Sequence, residues 1–410
     1  MWLPLYILVL YLIVSRLAKG GSLKLVAAAI LGPLGVFGVA AAVLLPTHRL
    51  INDVAFANIV LRHLRYPKGC LEKLYLNCRY GCEQWRAVYH DLDQNSRQIR
   101  LVVILPGATL DRIYCRLYYI QLADTAYEAL SYTWGSNSSF RSITVNGFPF
   151  HVTKNLEVAL KWLRYPDKER FVWIDAISIN QNNIRERGQQ VSLMRTIYTS
   201  ATAVPVWLGD RSSSSDCGMD FLAQADTEED KEGWFLRILT SNQDIYVDQW
   251  KAVLHLFQRE YWRRIWVVQE IACATKLTIL CGSRAVPWEI IVATQSAWIQ
   301  VKGAIQSPLL EEENVFRYFL TRDLTYQDCG PLPLEANRKT HMENEISVSL
   351  VNLLHTNWTA FATDPRDKIY ALVGLAADCQ DPAISIDYSF ITLRDLSQYY
   401  DIFVRGTWQP

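Results

Sequence analysis

The sequence predicts an α/β protein: a mainly parallel sheet with flanking helices, preceded by a membrane-spanning helix and followed by a mostly helical C-terminal extension. Three observations lead there. Two apolar runs, Tyr127–Gly135 and Phe171–Gln181, each stop at polar, turn-prone residues, as buried strands delivering side chains to one sheet edge do. From Ile99 onward strand-like and helix-like stretches alternate, an order that calls for right-handed crossovers and a sheet covered on both faces. The run Leu25–Pro46 carries no charge and is long enough to cross a bilayer.

The first 46 residues form a hydrophobic leader with one or two spans, since Met1–Val14 is also apolar but short. The connector between them holds Arg16, Lys19 and Lys24 and no acid, which favours a cytoplasmic connector. The nine cysteines, an odd number without framework spacing, instead favour a cytosolic main domain. We expect membrane attachment through residues 25–46 with the main domain in the cytosol. Residues 47–96 read as a connecting segment. Its Cys70, Cys78 and Cys82 lack the paired close spacing of a structural zinc site and read as isolated thiols, so no metal is expected. Forty-one basic residues balance forty-one acidic ones, which withholds the electrostatic footprint of a general nucleic-acid binder.

The main domain is expected over residues 97–282. Ile99–Leu105, Cys115–Gln121 and Tyr127–Trp134 read as strands, and Arg141–Asn146 with Phe148–Val152 as a hairpin split by a glycine turn. Asn155 is expected to cap a helix that buries Leu156, Leu160 and Leu163. Strand Phe171–Ile177, helix Arg185–Ser200 with Val191, Met194 and Ile197 or Tyr198 inward, and strand Ala203–Leu208 follow. The Ser-, Asp- and Glu-rich stretch Arg211–Gly233 reads as a solvated loop. A helix over Asp248–Thr275, strand Leu277–Cys281 and a mostly helical extension over 283–410 complete the chain.

In an open α/β sheet, ligands bind outside the carboxyl ends of the strands near a topological switch point. That rule selects Trp134, Gly135 and Ser136, then Ser178–Gln181 with Asn180, then Gly209 and Asp210. Asp175 sits within an apolar run, where a carboxylate must find donors or change its pKa, and is expected to take hydrogen bonds from the Ser178–Asn183 loop. Either a structural or a functional role suits it. Glu270 lies in an apolar helix, with Trp262 and Trp266 preceding it at four-residue steps and no Lys or Arg three or four residues away. Such a carboxylate has a raised pKa unless a distant cation pairs with it, and aromatic neighbours offer faces to a flat ligand.

The two runs that open this section, together with Asn155–Leu160, Val204–Asp210, Tyr261–Glu270 and Thr363–Leu372, resemble the fungal heterokaryon-incompatibility (HET) domain family, in order, from about Ile99 to Tyr388. HET domains resemble the TIR fold, a flavodoxin-like α/β core, and some TIR proteins cleave NAD with a glutamate in a Trp-containing helix after the third strand. The resemblance thus implies Glu270 as catalytic carboxylate, with Trp134, Gly135, Ser136, Asp175, Asn180 and Trp266 around the substrate. It implies no cofactor beyond NAD as substrate, and self-association or other incompatibility proteins as partners. The implied function is non-self recognition that triggers regulated cell death, either through NAD cleavage or through a non-catalytic self-association module. Ser178 stands where the family commonly has Cys, and Asn183 where it often has Asp.

Overall fold

The computed structural model describes residues 88–93, 96–122, 124–135, 139–240, 246–305, 330–342, 348–379, 386 and 388. All lie in the second of two compact units, Glu83–Pro410. The leader, including Leu25–Pro46, and Cys70, Cys78 and Cys82 fall outside the described residues, as does Ser136. Among the described residues no helix is long and apolar enough to cross a membrane.

The chain enters through β1 (Gln98–Ile104) and β2 (Tyr114–Gln121), paired antiparallel along their length, and β1 also runs antiparallel to β7 (Arg170–Trp173). The run from Tyr127 builds two short strands, β3 (Glu128–Ala129) and β4 (Ser131–Tyr132), with one residue between them. β3 pairs in parallel with β7 and β4 in parallel with β8 (Val204–Trp207), so this one segment passes from a six-stranded sheet to a four-stranded one. Leu130 N donates to Trp173 O and Ala129 N to Ala203 O, so no backbone donor is lost at the crossing. β5 (Phe140–Val145) and β6 (Phe148–Thr153) form a hairpin at the far edge. Its turn, Asn146-Gly147, has positive φ at both residues, the twist-matched form for a two-residue loop.

Four strands therefore run parallel side by side: β7, then β3 with β4, then β8, then β9 (Leu277–Cys281). The first of them in sequence lies between the second and the third, so the chain reverses direction across the sheet at β3 and β4. The expectation of a mainly parallel sheet needs correction, because four of the eight ladders among the described residues are antiparallel. Each of β2, β6 and β10 (Arg284–Pro287) follows its antiparallel partner after a short connection, and a parallel return needs a long crossover.

Helices cover this sheet. α1 (Lys154–Leu163) buries Leu156, Ala159, Leu160 and Leu163, but its cap is Thr153, whose hydroxyl accepts from Leu156 N, rather than Asn155. Asn155 instead donates to Thr133 O and accepts from Trp207 Nε1, tying the ends of β4 and β8 together. β7 ends at Trp173, earlier than expected, and a single turn, α2 (Asp175–Ser178), follows. α3 (Ile184–Ser200) packs Val191 and Met194 inward as the periodicity predicts, and buries both Ile197 and Tyr198 where one of the two was expected.

The stretch read as a solvated loop is α4 (Ser213–Ala223) and the approach to α5 (Lys231–Thr240). A reciprocal Ser212–Ser215 capping box starts α4, and Met219, Phe221 and Leu222 anchor it in the core against Trp250. The helix expected over Asp248–Thr275 is three pieces: α6 (Val247–Phe257), a 3₁₀ turn (Glu260–Arg263) and α7 (Ile265–Ala272). Arg264 between the last two is extended, with ψ 136, and this resets the helical phase. α8 (Trp288–Ile305), α9 (Pro331–Met342), α10 (Leu350–Thr356) and α11 (Asp367–Val373) make the C-terminal part helical, as expected.

Candidate functional site

The carboxyl ends of β4 and β7 open into a cavity of about 1000 Å³. Thr133, Trp134 and Gly135 enter it directly after β4, and Asp175 directly after β7. α7 supplies Trp266 and Glu270, one helical turn apart on the same face. The loop before α11 supplies Phe361 and Asp364, and the first residue of α11 supplies Asp367. Gly135 holds φ +76, and a Cβ there would come within 3.3 Å of Asn155, the side chain that ties the two strand ends.

Glu270 is 5% exposed. Among the described residues its hydrogen-bond partner is the Ser131 hydroxyl, which donates to Oε2 from the fully buried interior of β4. That hydroxyl in turn meets Tyr261 OH at 2.7 Å. With the Ser131 proton committed to the carboxylate, Tyr261 donates to Ser131, so a two-step chain runs from the 3₁₀ turn to the acid. Burial pushes the Glu270 carboxyl up to about 7, against the pull of the Arg264 guanidinium and the Ser131 hydroxyl. Asp175, also in the cavity, adds to the rise. No ion pair joins Glu270 to a cation among the described residues, so the alternative of a distant neutralising Arg is not realised at contact range. Arg264 acts on it through space while donating to Tyr132 O at the end of β4.

Asp175 takes its hydrogen bonds from elsewhere than expected. Its carboxylate accepts from Trp134 Nε1 at 2.7 Å and from Ala176 N at 2.7 Å, rather than from the Ser178–Asn183 loop. The loop meets its backbone instead, through Gln181 Nε2 donating to Asp175 O. The physical reason is that β7 stops before Asp175, and the turn of α2 aims the carboxylate across at the neighbouring strand's end. Burial raises its pKa, with Trp134 and Arg264 opposing. Trp134 itself is 37% exposed and lines the cavity.

Of the residues expected around a ligand, Trp134, Gly135, Asp175, Trp266 and Glu270 line this one cavity. Asn180 does not line it. Its backbone N–H donates to Glu186 Oε1 and its side chain accepts from Asn182 N, so it shapes the loop. Gly209 and Asp210 are likewise absent from the wall: Arg259 donates to the carbonyls of Leu208 and Asp210, and a Cβ on Gly209 would sit 2.8 Å from its guanidinium. Trp262 does not share the Glu270 face. The phase break at Arg264 turns it into the core, where it donates to Leu256 O and packs against Tyr261 and Trp288.

Sequence reasoning assigned no role to Ser131, Tyr261, Arg264, Arg187, Asp367 or Tyr388. Asp364 and Asp367 belong to the Thr363–Leu372 motif, and that motif was the available signal. Asp364 is clamped by Arg366 in a two-pronged ion pair, which lowers its pKa. Asp367 accepts from Tyr388 OH at 2.8 Å, and burial raises its pKa.

Comparison with known proteins follows the same elements. A family model described as "Heterokaryon incompatibility protein (HET)" matches residues 127–270, from the start of the crossing strand to Glu270 itself. The chain is similar to the heterokaryon incompatibility protein 6, OR allele, of Neurospora crassa: 26% identical over 367 residues, covering 78% of this chain and 53% of that protein. The chain thus spans about half the length of that curated relative. No solved structure matches it.

Proposed function

From a chain that belongs to the heterokaryon-incompatibility family, we propose a protein of fungal incompatibility that cleaves NAD at the cavity described above, with Glu270 as the catalytic carboxylate and cell death as the outcome. The observation that carries this reading is the state of Glu270: a buried carboxyl lining a cavity at the switch point of the parallel strands, held among the described residues by one hydroxyl and by no ion pair. The 2-1-3-4 order of the parallel strands supports the flavodoxin-like, TIR-type comparison from which the chemistry is drawn.

In the reaction, the bond between ribose C1′ and the nicotinamide nitrogen breaks, and its electron pair leaves with nicotinamide, which becomes neutral. The ribosyl centre left behind is oxocarbenium-like, and the ionised Glu270 carboxylate stabilises it, as a carboxylate does in glycoside cleavage. Water adds at C1′ to give ADP-ribose and releases one proton. Trp134 and Trp266 present aromatic surface for the flat nicotinamide ring. Arg264 keeps a positive charge near both Glu270 and Asp175, which favours the ionised form that the step requires. Attachment to a membrane through Leu25–Pro46 and self-association belong to the same proposal; they would bring copies together when incompatibility is triggered.

The test is NAD turnover by the purified full chain. Glu270→Gln keeps the shape and removes the charge, and is expected to lower turnover by at least about 100-fold while leaving the fold intact. If the variant killed cells as well as the parent does, catalysis would not be the mechanism, and a self-association module would stand in its place.

A further inference from the structure

The cavity has two charged ends. At one stand Glu270, Asp175 and Arg264; at the other Tyr388 gathers Asp367, which accepts from its hydroxyl, and Arg187, which lies over its ring. α7 joins the ends, since Trp266, next to Asp367, precedes Glu270 by one turn, about 5–6 Å along the axis.

At the second end the first turn of α3 sends consecutive side chains to different tasks. Glu186 turns inward to Arg100. Gly188 lies against Ile386, and a Cβ there would meet Ile386 O at 2.7 Å. Arg187 reaches the cavity and lies over the Tyr388 ring, its guanidinium carbon 4.0 Å from the ring centre. Tyr388 is a fixed platform: its hydroxyl donates to Asp367, its carbonyl accepts from Arg366 at 3.0 Å, and its ring packs on Tyr370. Yet the guanidinium it supports is unspent. Among the described residues Arg187 forms no side-chain hydrogen bond and no ion pair, and its Nε is buried without a partner. Arg366, just behind the wall residues Asp364 and Pro365 in sequence, shows the contrast, being engaged by Asp364.

We propose that Arg187 is the anion-binding residue of this cavity and takes a phosphate of a nucleoside-diphosphate ligand whose sugar reaches Glu270. A planar fork with free donors on a rigid aromatic seat matches phosphate oxygens in geometry as well as charge. Neighbouring acids do not cancel it: Asp364 is neutralised by Arg366, and Asp367 spends one oxygen on Tyr388. A carboxylate at one end and a free guanidinium at the other select a ligand with positive and negative parts in that order. The naming of the sugar and its positive ring rests on the NAD reading above; the anion site does not.

The experiment is calorimetric binding to the full chain of three probes: inorganic pyrophosphate, ADP-ribose and adenosine. Arg187→Ala is expected to weaken pyrophosphate and ADP-ribose by at least about tenfold, with Arg187→Lys between it and the parent because charge returns without the fork. Adenosine, which has no phosphate, should bind parent and variant alike. Equal binding of pyrophosphate and ADP-ribose by parent and Arg187→Ala would overturn the inference, as would their failure to bind the parent. Loss of adenosine together with the other two would also overturn it, by showing collapse of the cavity. Should Arg187-dependent pyrophosphate binding occur without NAD turnover, the anion site stands and the NAD reading falls; NAD turnover with KM unaffected by Arg187→Ala gives the reverse.

Discussion

Two glutamates of this protein are equally hidden, Glu186 and Glu270, each 5% exposed, and they are treated in opposite ways. Glu186 accepts from both terminal nitrogens of Arg100, at 2.5 and 3.2 Å, and from Asn180 N at 2.8 Å. Arg100 is itself wholly buried, rests on the Tyr89 and Tyr119 rings, and also donates to Ser178 O and His90 O. Glu186 further lies in the first turn of α3, where the helix dipole favours an anion. Glu270 lies in the last turn and a half of α7, where the dipole opposes one, with a single hydroxyl as partner among the described residues. Burial is therefore common to a structural and a candidate catalytic acid. What separates them is the set of partners, complete in one case and left short in the other, next to a cavity.

The comparison breaks most sharply at Arg100. Arg100→Met strands the Glu186 charge and releases the Ser178–Asn183 loop, and is expected to cost about 3–5 kcal/mol of stability by denaturant unfolding. Glu270→Gln, in an equally buried place, is expected to stay within about 1 kcal/mol of the parent near pH 6, because no cation loses its partner. Equal losses in the two variants would mean that both acids are structural.

A second test uses pH. The Glu270 pKa is raised from 4.5 to about 7, so between those values the folded protein holds a proton that the unfolded chain releases. Stability then falls as pH rises from about 4.5 to 7, by up to roughly 3 kcal/mol, and the loss is complete above the folded pKa. Below 4.5 both states are protonated and the acid contributes nothing. Glu270→Gln should remove this slope, so that its stability relative to the parent improves between pH 5 and pH 8. Asp175 and Asp367, also raised, contribute in the same direction but are present in both proteins, so the difference reports mainly Glu270. Turnover of NAD should show the opposite dependence, rising with pH to half its plateau near 7, as the carboxylate ionises. A flat difference in stability would remove the raised pKa and the lack of an ion pair on which the site rests.

Much of this was legible in the sequence where the signal was local. The apolar runs gave the parallel strands, the period of α3 gave its buried face, and the strand-end rule found Trp134, Gly135 and Gln181 in the cavity wall but also selected Asn180, Gly209 and Asp210, which do not line it; Asp175 and Glu270 stood out separately, as acids in apolar runs. Other features depend on contacts that no local pattern carries. A continuous helix from Asp248 hid the extended residue Arg264, and so Trp262 was placed on the wrong face. Ser131 is a small hydroxyl in an apolar run, unremarkable until Tyr261 and Glu270, 130 and 139 residues away, close on it. α4 looked solvated because its serines count as polar, although Ser212 and Ser215 spend their hydroxyls on the helix start. Arg187 and Tyr388 meet across two hundred residues, and only the folded chain shows that one supports the other.

The smallest expected effect tests how Glu270 is held. Ser131→Ala removes the one hydrogen bond that favours its ionised form and leaves Tyr261 OH without its partner inside the core. Stability should fall by about 1 kcal/mol, the net worth of a buried hydrogen bond. More telling is the direction of titration: with burial unchanged and the stabilising hydroxyl gone, the Glu270 pKa must rise above its parent value, and the acid limb of NAD cleavage must move to higher pH. Ser131→Thr, which keeps the hydroxyl, should restore the limb if the added methyl is accommodated. A merely structural serine would lower stability in the alanine variant and leave the pH profile where it was. In that case Glu270 would draw its state from burial and Arg264 alone, and the chain from Tyr261 would serve only to fix the 3₁₀ turn against β4.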